Sequence, residues 1–439
     1  MKKRISLLLA IALALLLTAC GKEGLDPANP VTLTMWHVYG EQAESPMNRL
    51  VDEFNSTVGM EKGIVINVTL MSNNTQIGPK LLDAQANKPG SVSMPDLFFG
   101  HVSNAKMVGP DTLLDWQDQF SKDELSAYVP AFIQDGMIGD KLAVFPVSKS
   151  THLLFVNGTQ FERFCADTGM GYDDLATWEG FFDAAERYYE WSGGKCFCAF
   201  DYMLRCVELH AQGAGASVMT EDGWYDFGNE ELRASWMMFA EPLAQGHISV
   251  SNLYSNTQVM TGEVCAGLGS SAAILYYNDS VTYPDNTTEP INLKVLPLPQ
   301  EPGREPLVTQ AGVGLIARKT TELKAEAAAV FARWLTEGER NLGFVTETGY
   351  MPVNNGAFEA IDHFDFADEG YASLYAALKS TRETGVLTTE PSFTGYYNKV
   401  TALYDGLRGI QGSLEARANA GEDVASLAEE SWQLFSSIQ

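Results

Sequence analysis

VFPVSKSTHLLFVNGTQF, residues 144–161, contains two apolar runs separated by a short polar segment. Proline lacks a backbone donor and disfavours helix in the residue before it, so the first run is expected to be a strand that stops at Pro146. After the polar segment, the run LLFV is expected to form the next strand. We interpret the segment as a hinge between two lobes. The hydroxyls of Ser148, Ser150 and Thr151 would then face the cleft and orient a ligand, with simple turn chemistry as the alternative.

The whole chain is long, rich in apolar residues and strongly acidic. Its 439 residues are 45% hydrophobic and 11% aromatic, which allows a large core and favours two or three domains over one. The 29 Lys and Arg against 56 Asp and Glu give a formal net charge of -27. Nucleic acid is therefore not expected as a partner, because phosphate repulsion would not be offset. Neutral or cationic ligands fit better.

The N-terminus has the pattern of an export signal. Three cations at residues 2–4 precede an apolar run that is too short to span a bilayer comfortably, and LTAC ends at Cys20. The pattern resembles a bacterial lipoprotein signal over residues 1–20, with an ordinary signal peptide as the alternative. It predicts an exported protein, anchored to the cell membrane by a lipid on Cys20 and facing the extracellular or periplasmic side. Residues 21–30, rich in Gly, Pro and charge, are expected to be a flexible tether.

Five cysteines follow Cys20, an odd number that leaves at least one thiol unpaired outside the cell unless the compartment is reducing. Cys196, Cys198, Cys206 and His210 can be written as a metal set. However, CxC followed by CxxxH is not a usual zinc spacing, and buried free cysteine is common. We therefore expect neither a metal nor a cofactor.

Strand and helix patterns alternate over the first hundred residues. VTLTMWHV, GIVINVTLM and PDLFFG read as strands, with amphipathic helical patterns between them. This order predicts a parallel sheet with crossover helices, and the ligands of such sheets bind beyond the carboxyl ends of the strands. Four candidate ligand-binding residues follow the first strand: Trp36, His37, Tyr39 and Glu41. The ring of Trp36 offers a face for a pyranose, or else belongs to the core of the lobe.

The sequence also gives expectations for two later segments. DGWYDFGN, residues 222–229, reads as a loop with two exposed-looking aromatic residues. GLGSSAAILYY, residues 267–277, reads as extended chain. GLGSSA also matches the GxGxxA pattern, but no clear strand-turn-helix unit or acidic partner supports a dinucleotide site.

Eight segments, in this order, carry a resemblance to a known family. They are VTLTMWH, MPDLFFG, PVSKST before LLFVN, TWEGFFDAAERY, TGEVCAGLGSSAA, VLPLPQEPG, GVGLIA before AAAVFARWLTE, and TGYMPVNN. Together they cover almost the whole chain after the signal. The chain resembles the extracellular solute-binding proteins of ABC importers, in the sugar-binding family (family 1) that includes the maltodextrin and glycerol-phosphate binding proteins.

The resemblance implies an α/β fold of the periplasmic-binding-protein type. Each of its two lobes would be a mostly parallel sheet flanked by helices, with the ligand cleft between the lobes. By the family pattern one lobe comprises residues 31–148 and 297–340, and the other comprises 149–296 and 341–439. Ligand binding would favour closure, because the ligand contacts both lobes only in the closed state.

The resemblance also points to further ligand-binding residues. His101 lies where relatives contact ligand, with helix capping or simple exposure as alternatives. Ser270 and Ser271 lie in the ligand loop of the family, which in maltodextrin relatives tends to carry an aromatic platform; its absence argues against a long α-glucan. The double serine, together with Gly312 and Tyr350, is more similar to the glycerol-phosphate relatives.

Two aromatic residues complete the candidate set. Glycerol-phosphate relatives use an arginine from the C-terminal part, where GYYNKV offers Tyr396, Tyr397 and Lys399 instead. That departure and the negative charge argue against a phosphate ligand. Trp224 is the candidate platform of the second lobe, with a packed loop anchor as the alternative.

The expected function is a monomeric, non-enzymatic binding protein that captures a mono- or oligosaccharide and delivers it to the permease of an ABC importer. No HExxH, GxSxG or Walker motif occurs. A glycerophosphodiester or polyol ligand is the alternative within transport. An exported glycan hydrolase is the alternative from another class, although the carboxylates are too many for one acid–base pair to be singled out.

Overall fold

A computed structural model describes residues 24–40, 45–71, 74–220, 223–391, 393 and 395–438. The signal, Cys20 and Glu41 lie outside these residues. In the described ranges, no helix is both long and apolar enough to cross a membrane. The described chain forms two compact units: unit 1 lies within residues 1–125, 136–145 and 314–336, and unit 2 within 126–135, 146–313 and 337–439.

The strands are numbered in chain order. They are β1 Val31–His37, β2 Ile64–Leu70, β3 Leu97–Gly100, β4 Met137–Ile138, β5 Lys141–Leu142, β6 Phe145–Pro146, β7 His152–Asn157, β8 Cys198–Phe200, β9 Ile248–Ser249, β10 Ala266–Ser270, β11 Ser280–Thr282, β12 Thr288–Pro290, β13 Leu293–Leu296, β14 Leu307–Gln310, β15 Gly314–Ala317 and β16 Val386–Thr389.

The α-helices are numbered in the same way. They are α1 Pro46–Ser56, α2 Val58–Lys62, α3 Asn74–Gln85, α4 Val102–Val108, α5 Lys122–Ser126, α6 Pro130–Asp135, α7 Gly158–Thr168, α8 Trp178–Ser192, α9 Met203–Gly213, α10 Glu230–Ala244, α11 Ser255–Met260, α12 Glu322–Leu335, α13 Gly338–Thr346, α14 Asn355–Ala360, α15 Glu369–Thr384, α16 Tyr396–Asn419 and α17 Val424–Ser437. Short 3-10 helices span Pro110–Thr112, Trp116–Asp118, Tyr172–Ala176, Ser271–Tyr276 and Ile361–His363.

Unit 1 is built on a five-stranded sheet in the order β2-β1-β3-β15-β6. β1 runs parallel to β2 and β3, and β15 runs antiparallel to β3. The carboxylate of Asp96, just before β3, accepts hydrogen bonds from the backbone and hydroxyl of Thr34 at 2.9 and 3.0 Å. It also lies 2.7 Å from the ammonium of Lys324. These bonds tie the start of β3 to β1 and to helix α12. The predicted parallel pairing of the first three strands is confirmed, whereas the antiparallel β15 makes the sheet mixed.

Unit 2 contains a mixed five-stranded sheet in the order β13-β7-β10-β8-β9. β7 is antiparallel to both of its neighbours, whereas β10, β8 and β9 are parallel. All six residues of β7 are buried, which explains the apolar run LLFV at its centre. The C-terminal helix α17 completes the core, because the indole of Trp236 donates to the Ser431 hydroxyl at 3.0 Å and stacks on Phe435. Because β7 is antiparallel to both of its neighbours, the sheet of unit 2 is mixed and not mostly parallel.

Two local expectations need comment. β6 ends at Pro146 and β7 begins at His152, so the predicted strand, polar crossing and strand is confirmed. The prediction of extended chain over residues 267–277 is wrong in its second half. There β10 ends at Ser270, whose hydroxyl caps a 3-10 helix by accepting from the backbone of Ala272.

The boundaries of the two units differ from the lobe boundaries predicted from sequence, which stay a prediction. Residues 297–313 were placed in the first lobe but cluster with unit 2. β14 explains this, because it pairs in parallel with β16 along four residues of the same unit. Residues 126–135 also belong to unit 2.

Candidate functional site

A cavity of about 510 Å³ in unit 2 combines aromatic rings with carboxylates. It is lined by residues at the start of α9, in the loop before α11 and along α16. They are Phe200, Asp201, Tyr202, Leu204, Arg205, Ser251, Asn252, Leu253, Tyr254, Glu390, Tyr396, Tyr397, Val400, Thr401, Tyr404 and Arg408. Asp201 directly follows β8, so the cavity lies beyond the carboxyl end of a strand, where ligands of α/β sheets bind.

Asp201 is the best-positioned carboxylate of the cavity. Its two oxygens accept hydrogen bonds from the backbone N–H and the hydroxyl of Ser255, at 2.8 and 2.9 Å. Burial nevertheless raises the pKa of Asp201 to about 6. The side chain is therefore held rigidly, is ionised at neutral pH and retains unused lone pairs.

The tyrosines of the cavity are of two kinds. Tyr254 and Tyr397 are 71% and 61% exposed, which is unusual for such large rings. Tyr396 is buried, and the hydroxyl of Tyr404 accepts from the backbone of Leu204 at 3.1 Å. The exposed rings can contact a ligand, whereas Tyr396 and Tyr404 shape the wall of the cavity.

Arg205 is almost fully buried and all three of its guanidinium nitrogens have partners. Nη1 lies 2.8 Å from the carboxylate of Glu208, which is also buried. Nε donates to the Thr309 hydroxyl and Nη2 to the Thr389 carbonyl, both at 3.0 Å. This arginine therefore joins α9 to strands β14 and β16 and is committed to the fold.

His152, the first residue of β7, stacks on Tyr202 with the ring centroids 4.0 Å apart. Its Nε2 lies 3.6 Å from the Glu390 carboxylate. Burial, with a smaller contribution from Arg205, lowers the pKa of His152 to about 3. The imidazole is therefore neutral at physiological pH and does not neutralise Glu390. Burial raises the pKa of Glu390, and the charge of Arg205 partly opposes this effect.

The polar crossing before β7 is held by backbone hydrogen bonds within unit 2. Ser150 and Ala311 exchange two bonds of 2.9 Å, and Lys149 pairs with Met351 in the same antiparallel manner. The carbonyl of Thr151 accepts from the backbone of Ser271 at 2.8 Å. Three segments predicted to carry ligand residues are thus brought together around residues 149–151.

Gly312 and Tyr350 lie next to these bonded segments. Gly312 has φ +117°, and a Cβ there would lie 3.2 Å from the Ser148 carbonyl oxygen. The carbonyl of Tyr350 accepts from the hydroxyl of Tyr375 at 2.9 Å. Ser148 and Ser271 are both fully buried, and Ser270 caps the 3-10 helix described above. A role in ligand binding stays a prediction for all of these residues.

Of the unit 1 candidates after the first strand, Trp36 and His37 are the last two residues of β1, and Tyr39 follows it. Trp36 is 2% exposed and packs in a core cluster with Phe98 and Ile316. The ring of His37 is buried, and its Nδ1 accepts from the backbone of Tyr39 at 3.2 Å. The other nitrogen, Nε2, therefore donates to the Asn48 side chain, 2.7 Å away. Burial lowers the pKa of His37, so it is a neutral residue that orients the segment after β1.

His101 is half-buried at the N-terminus of α4, in the position that caps the helix. Its backbone N–H donates to the Asn104 side chain at 2.9 Å. Capping was the alternative reading of this residue. The ligand contact of His101 stays a prediction.

Trp224 does not have the exposure that the sequence suggested. Its side chain is 8% exposed, and its indole N–H donates to the Ile438 carbonyl at 2.9 Å. The ring packs edge-on against Phe393, Tyr396 and Phe435. The expectation of two exposed aromatics in this loop is wrong, because Tyr225 is also buried. Tyr396 lines the cavity and also packs on Trp224.

The cysteine pattern has no metal-site geometry. The five described cysteines are free thiols, and Cys196 donates to the Cys198 carbonyl. His210 Nδ1 lies 2.8 Å from the Ser235 hydroxyl. Among the residues that the structure describes, no group of His, Cys, Asp and Glu is arranged to hold a metal ion.

Sequence reasoning missed Asp201, Tyr254 and Glu390. The sequence did carry a signal for Asp201, because this residue directly follows the apolar run CFCAF. Part of that run forms β8, and ligands bind beyond the carboxyl ends of such strands, as argued above for β1. Tyr254 and Glu390 lie in loops without a distinctive pattern. Only the fold brings them to Asp201.

Fold and site together define a two-lobed α/β solute-binding protein of the periplasmic-binding-protein type. The model of the family described as bacterial extracellular solute-binding protein matches residues 49–369. The chain belongs to this family, and the predicted resemblance is confirmed. A search of curated protein sequences found no match.

Solved structures show the same fold at low sequence identity. The cyclic alpha-maltosyl-1,6-maltose binding protein from Arthrobacter globiformis has a TM-score of 0.70 and 17% identity, covering 93% of this chain and 99% of its own. The sugar-binding protein MalE from Xanthomonas citri has a TM-score of 0.67 and 16% identity, covering 93% and 97%. UgpB from Mycobacterium tuberculosis in complex with glycerophosphocholine has a TM-score of 0.64 and 16% identity, covering 93% and 98%.

Proposed function

We propose that this protein is the lipid-anchored binding component of an ABC importer, which captures a mono- or oligosaccharide by hinge closure and delivers it to the permease. The observation that carries the proposal is the cavity of unit 2, where the exposed rings of Tyr254 and Tyr397 accompany the carboxylates of Asp201 and Glu390. A pyranose has an apolar face and a rim of hydroxyls. It therefore matches a site with ring faces and hydrogen-bond acceptors.

The carboxylates suit hydroxyl donors in particular. Charge-assisted hydrogen bonds are shorter and stronger than neutral ones, so one carboxylate that accepts from two neighbouring hydroxyls fixes the orientation of a sugar ring. Asp201 is already rigid through its two bonds to Ser255. Little further ordering is needed when ligand binds, which preserves affinity.

Membership of the solute-binding family supports binding and transport as the role, and the structural neighbours include a cyclic alpha-maltosyl-1,6-maltose binding protein and the sugar-binding protein MalE. The lipoprotein-like pattern that ends at Cys20 supports export and anchoring. We propose a monomer that performs no covalent chemistry.

Calorimetry with the purified protein tests the proposal. Neutral mono- to tetrasaccharides are titrated beside glycerophosphoglycerol, and we expect saturable binding of a saccharide. Tyr397→Ala should weaken that binding about 3- to 10-fold, through loss of a ring contact. Trp191→Ala is the matched control, since Trp191 is a partly exposed aromatic residue that does not line the cavity. Binding of the phosphodiester alone would overturn the carbohydrate assignment.

A glycerophosphodiester is the second candidate, because Arg205 and Arg408 line the cavity and UgpB, a structural neighbour, was solved with glycerophosphocholine. Both arginines are already engaged, however. Arg205 is bound as described above, and Arg408 is paired with Asp405 and with the Ser251 carbonyl. The phosphodiester is therefore the less favoured ligand.

A further inference from the structure

Two carboxylates of the cavity have no cationic partner of their own. Neither Asp201 nor Glu390 forms a salt bridge with a lysine or arginine within the part of the chain that the structure describes. Among these residues, the groups that donate to the Asp201 carboxylate are the uncharged N–H and hydroxyl of Ser255. Glu390 faces the neutral ring of His152, and the charge of Arg205 that acts on it is already paired with Glu208. Charges that are partly withdrawn from water are normally paired, so a cationic ligand group fits between these carboxylates.

The cations near the site cannot supply the missing charge without leaving their own partners. Arg205 is neutralised by Glu208 and uses its other nitrogens on Thr309 and Thr389. Arg408 is neutralised by Asp405. Each arginine that lines the cavity already has a carboxylate partner, Glu208 for Arg205 and Asp405 for Arg408. Asp201 and Glu390 have no lysine or arginine partner of their own among the described residues.

Tyrosine rings lie within electrostatic reach of both carboxylates. Burial raises the pKa of Tyr202, and the charges of Asp201 and Glu390 raise it further. The ring of Tyr397 is largely exposed, yet partial desolvation raises the pKa of its hydroxyl, with a contribution from Glu390. Ring faces beside carboxylates attract organic cations, because the negative face of the ring and the carboxylate both attract positive charge.

We propose that the solute is a saccharide that bears a protonated amino group, which binds to the carboxylates of Asp201 and Glu390 beside the tyrosine rings. This inference rests on the proposed carbohydrate-binding function and names the class of sugar. The ammonium would neutralise charge that the fold leaves unpaired, while the sugar ring contacts Tyr254 or Tyr397. The acidic surface of the chain as a whole favours the approach of such a cation.

Three trisaccharides of equal length separate the charge from the sugar. The glucosamine trimer carries amines, the N-acetylglucosamine trimer carries uncharged amides at the same positions, and maltotriose carries hydroxyls. Titrations at pH 7 should show the glucosamine trimer binding about 10- to 100-fold more tightly than either of the others, the usual effect of a hydrogen bond to a charged group. Asp201→Asn and Glu390→Gln should each remove most of that preference.

Asp362→Asn is the matched control, because Asp362 is an exposed carboxylate paired with Lys379 outside the cavity. It should leave all three affinities unchanged. Circular dichroism and melting temperatures verify that each variant is folded, and both cavity substitutions preserve side-chain shape.

The outcomes distinguish this inference from the proposed function. Equal binding of the three trimers, or a preference for maltotriose or the N-acetylated trimer, would overturn the inference and leave the carbohydrate assignment intact. An amine preference that survives both cavity substitutions would also overturn it. If glycerophosphoglycerol binds and no saccharide does, both fall.

Discussion

At the scale of single residues, Asp201 links the cavity to the stability of the fold. Burial raises its pKa from the ordinary value of 3.8 to about 6. The folded state therefore holds the proton more tightly than the unfolded state, and the free energy of unfolding must fall as pH rises from about 4 to about 6. The loss for this one group is at most about 3 kcal/mol.

Urea unfolding at pH 4, 5 and 7 measures this effect. Cys198, Tyr202, Tyr277 and Tyr404 lie within electrostatic reach of Asp201, and Arg205, Tyr254 and Glu390 line the same cavity. Glu390 is the other carboxylate of this set, and burial raises its pKa as well. The comparison is therefore made between Glu390→Gln and Glu390→Gln/Asp201→Asn, and the second should lose less stability with rising pH. Parallel profiles would contradict the prediction.

Gly312 is a second residue whose identity the backbone requires. Its φ of +117° is unfavourable for any other residue, and an added Cβ would lie 3.2 Å from the Ser148 carbonyl. Gly312→Ala should therefore lower the unfolding free energy by about 1–3 kcal/mol. Gly343→Ala, inside α13 and with open space around its Cβ, should instead raise it by about 0.5–1 kcal/mol. Chemical denaturation of both variants checks the sign, and two changes of the same sign would refute this account.

At the scale of elements, the crossing between β6 and β7 depends on a buried ion pair. The side chains of Lys149 and Asp135, 3% and 10% exposed, form a salt bridge within unit 2. Lys149→Met leaves a buried carboxylate without its cation and should cost about 3–5 kcal/mol. The double variant Lys149→Met/Asp135→Asn should cost clearly less, because no charge is stranded.

A double-mutant cycle in urea measures this coupling. Lys379→Met provides the control, since its pair with Asp362 lies at the surface and should contribute little to stability. If Lys149→Met costs no more than this control, the crossing is held by its backbone hydrogen bonds alone.

Elements with a strong local pattern were predictable from sequence. Pro146 marks the end of β6, and the repeat of Ala327, Phe331 and Trp334 gives the buried face of α12. The 3-10 helix after Ser270 was not predicted, because small residues have no clear period and the cap on Ala272 becomes visible only in three dimensions.

At the scale of the whole molecule, what sequence could not reveal depends on contacts between distant parts of the chain. Trp224 looked exposed because its neighbours are turn residues, yet Phe393 and Phe435 cover it from positions far along the chain. Glu390 joins Asp201 in the cavity for the same reason. Family resemblance supplied the two-lobed fold and the class of function, whereas the acidic and aromatic residues of the cavity required the structure.

The proposed hinge closure involves the whole molecule, and hydrogen exchange tests it. A solute at 100-fold its Kd stabilises the state that it binds by about 2.7 kcal/mol. If the ligand holds both lobes in a closed state, slower exchange should appear around the cavity of unit 2 and also after β1 and β3 of unit 1, near Tyr39 and His101. Asp201→Asn at the same solute concentration should show neither change. Slower exchange confined to residues 199–205, 251–256 and 390–408 would instead mean that unit 2 binds the solute alone and that the hinge interpretation of the crossing is wrong.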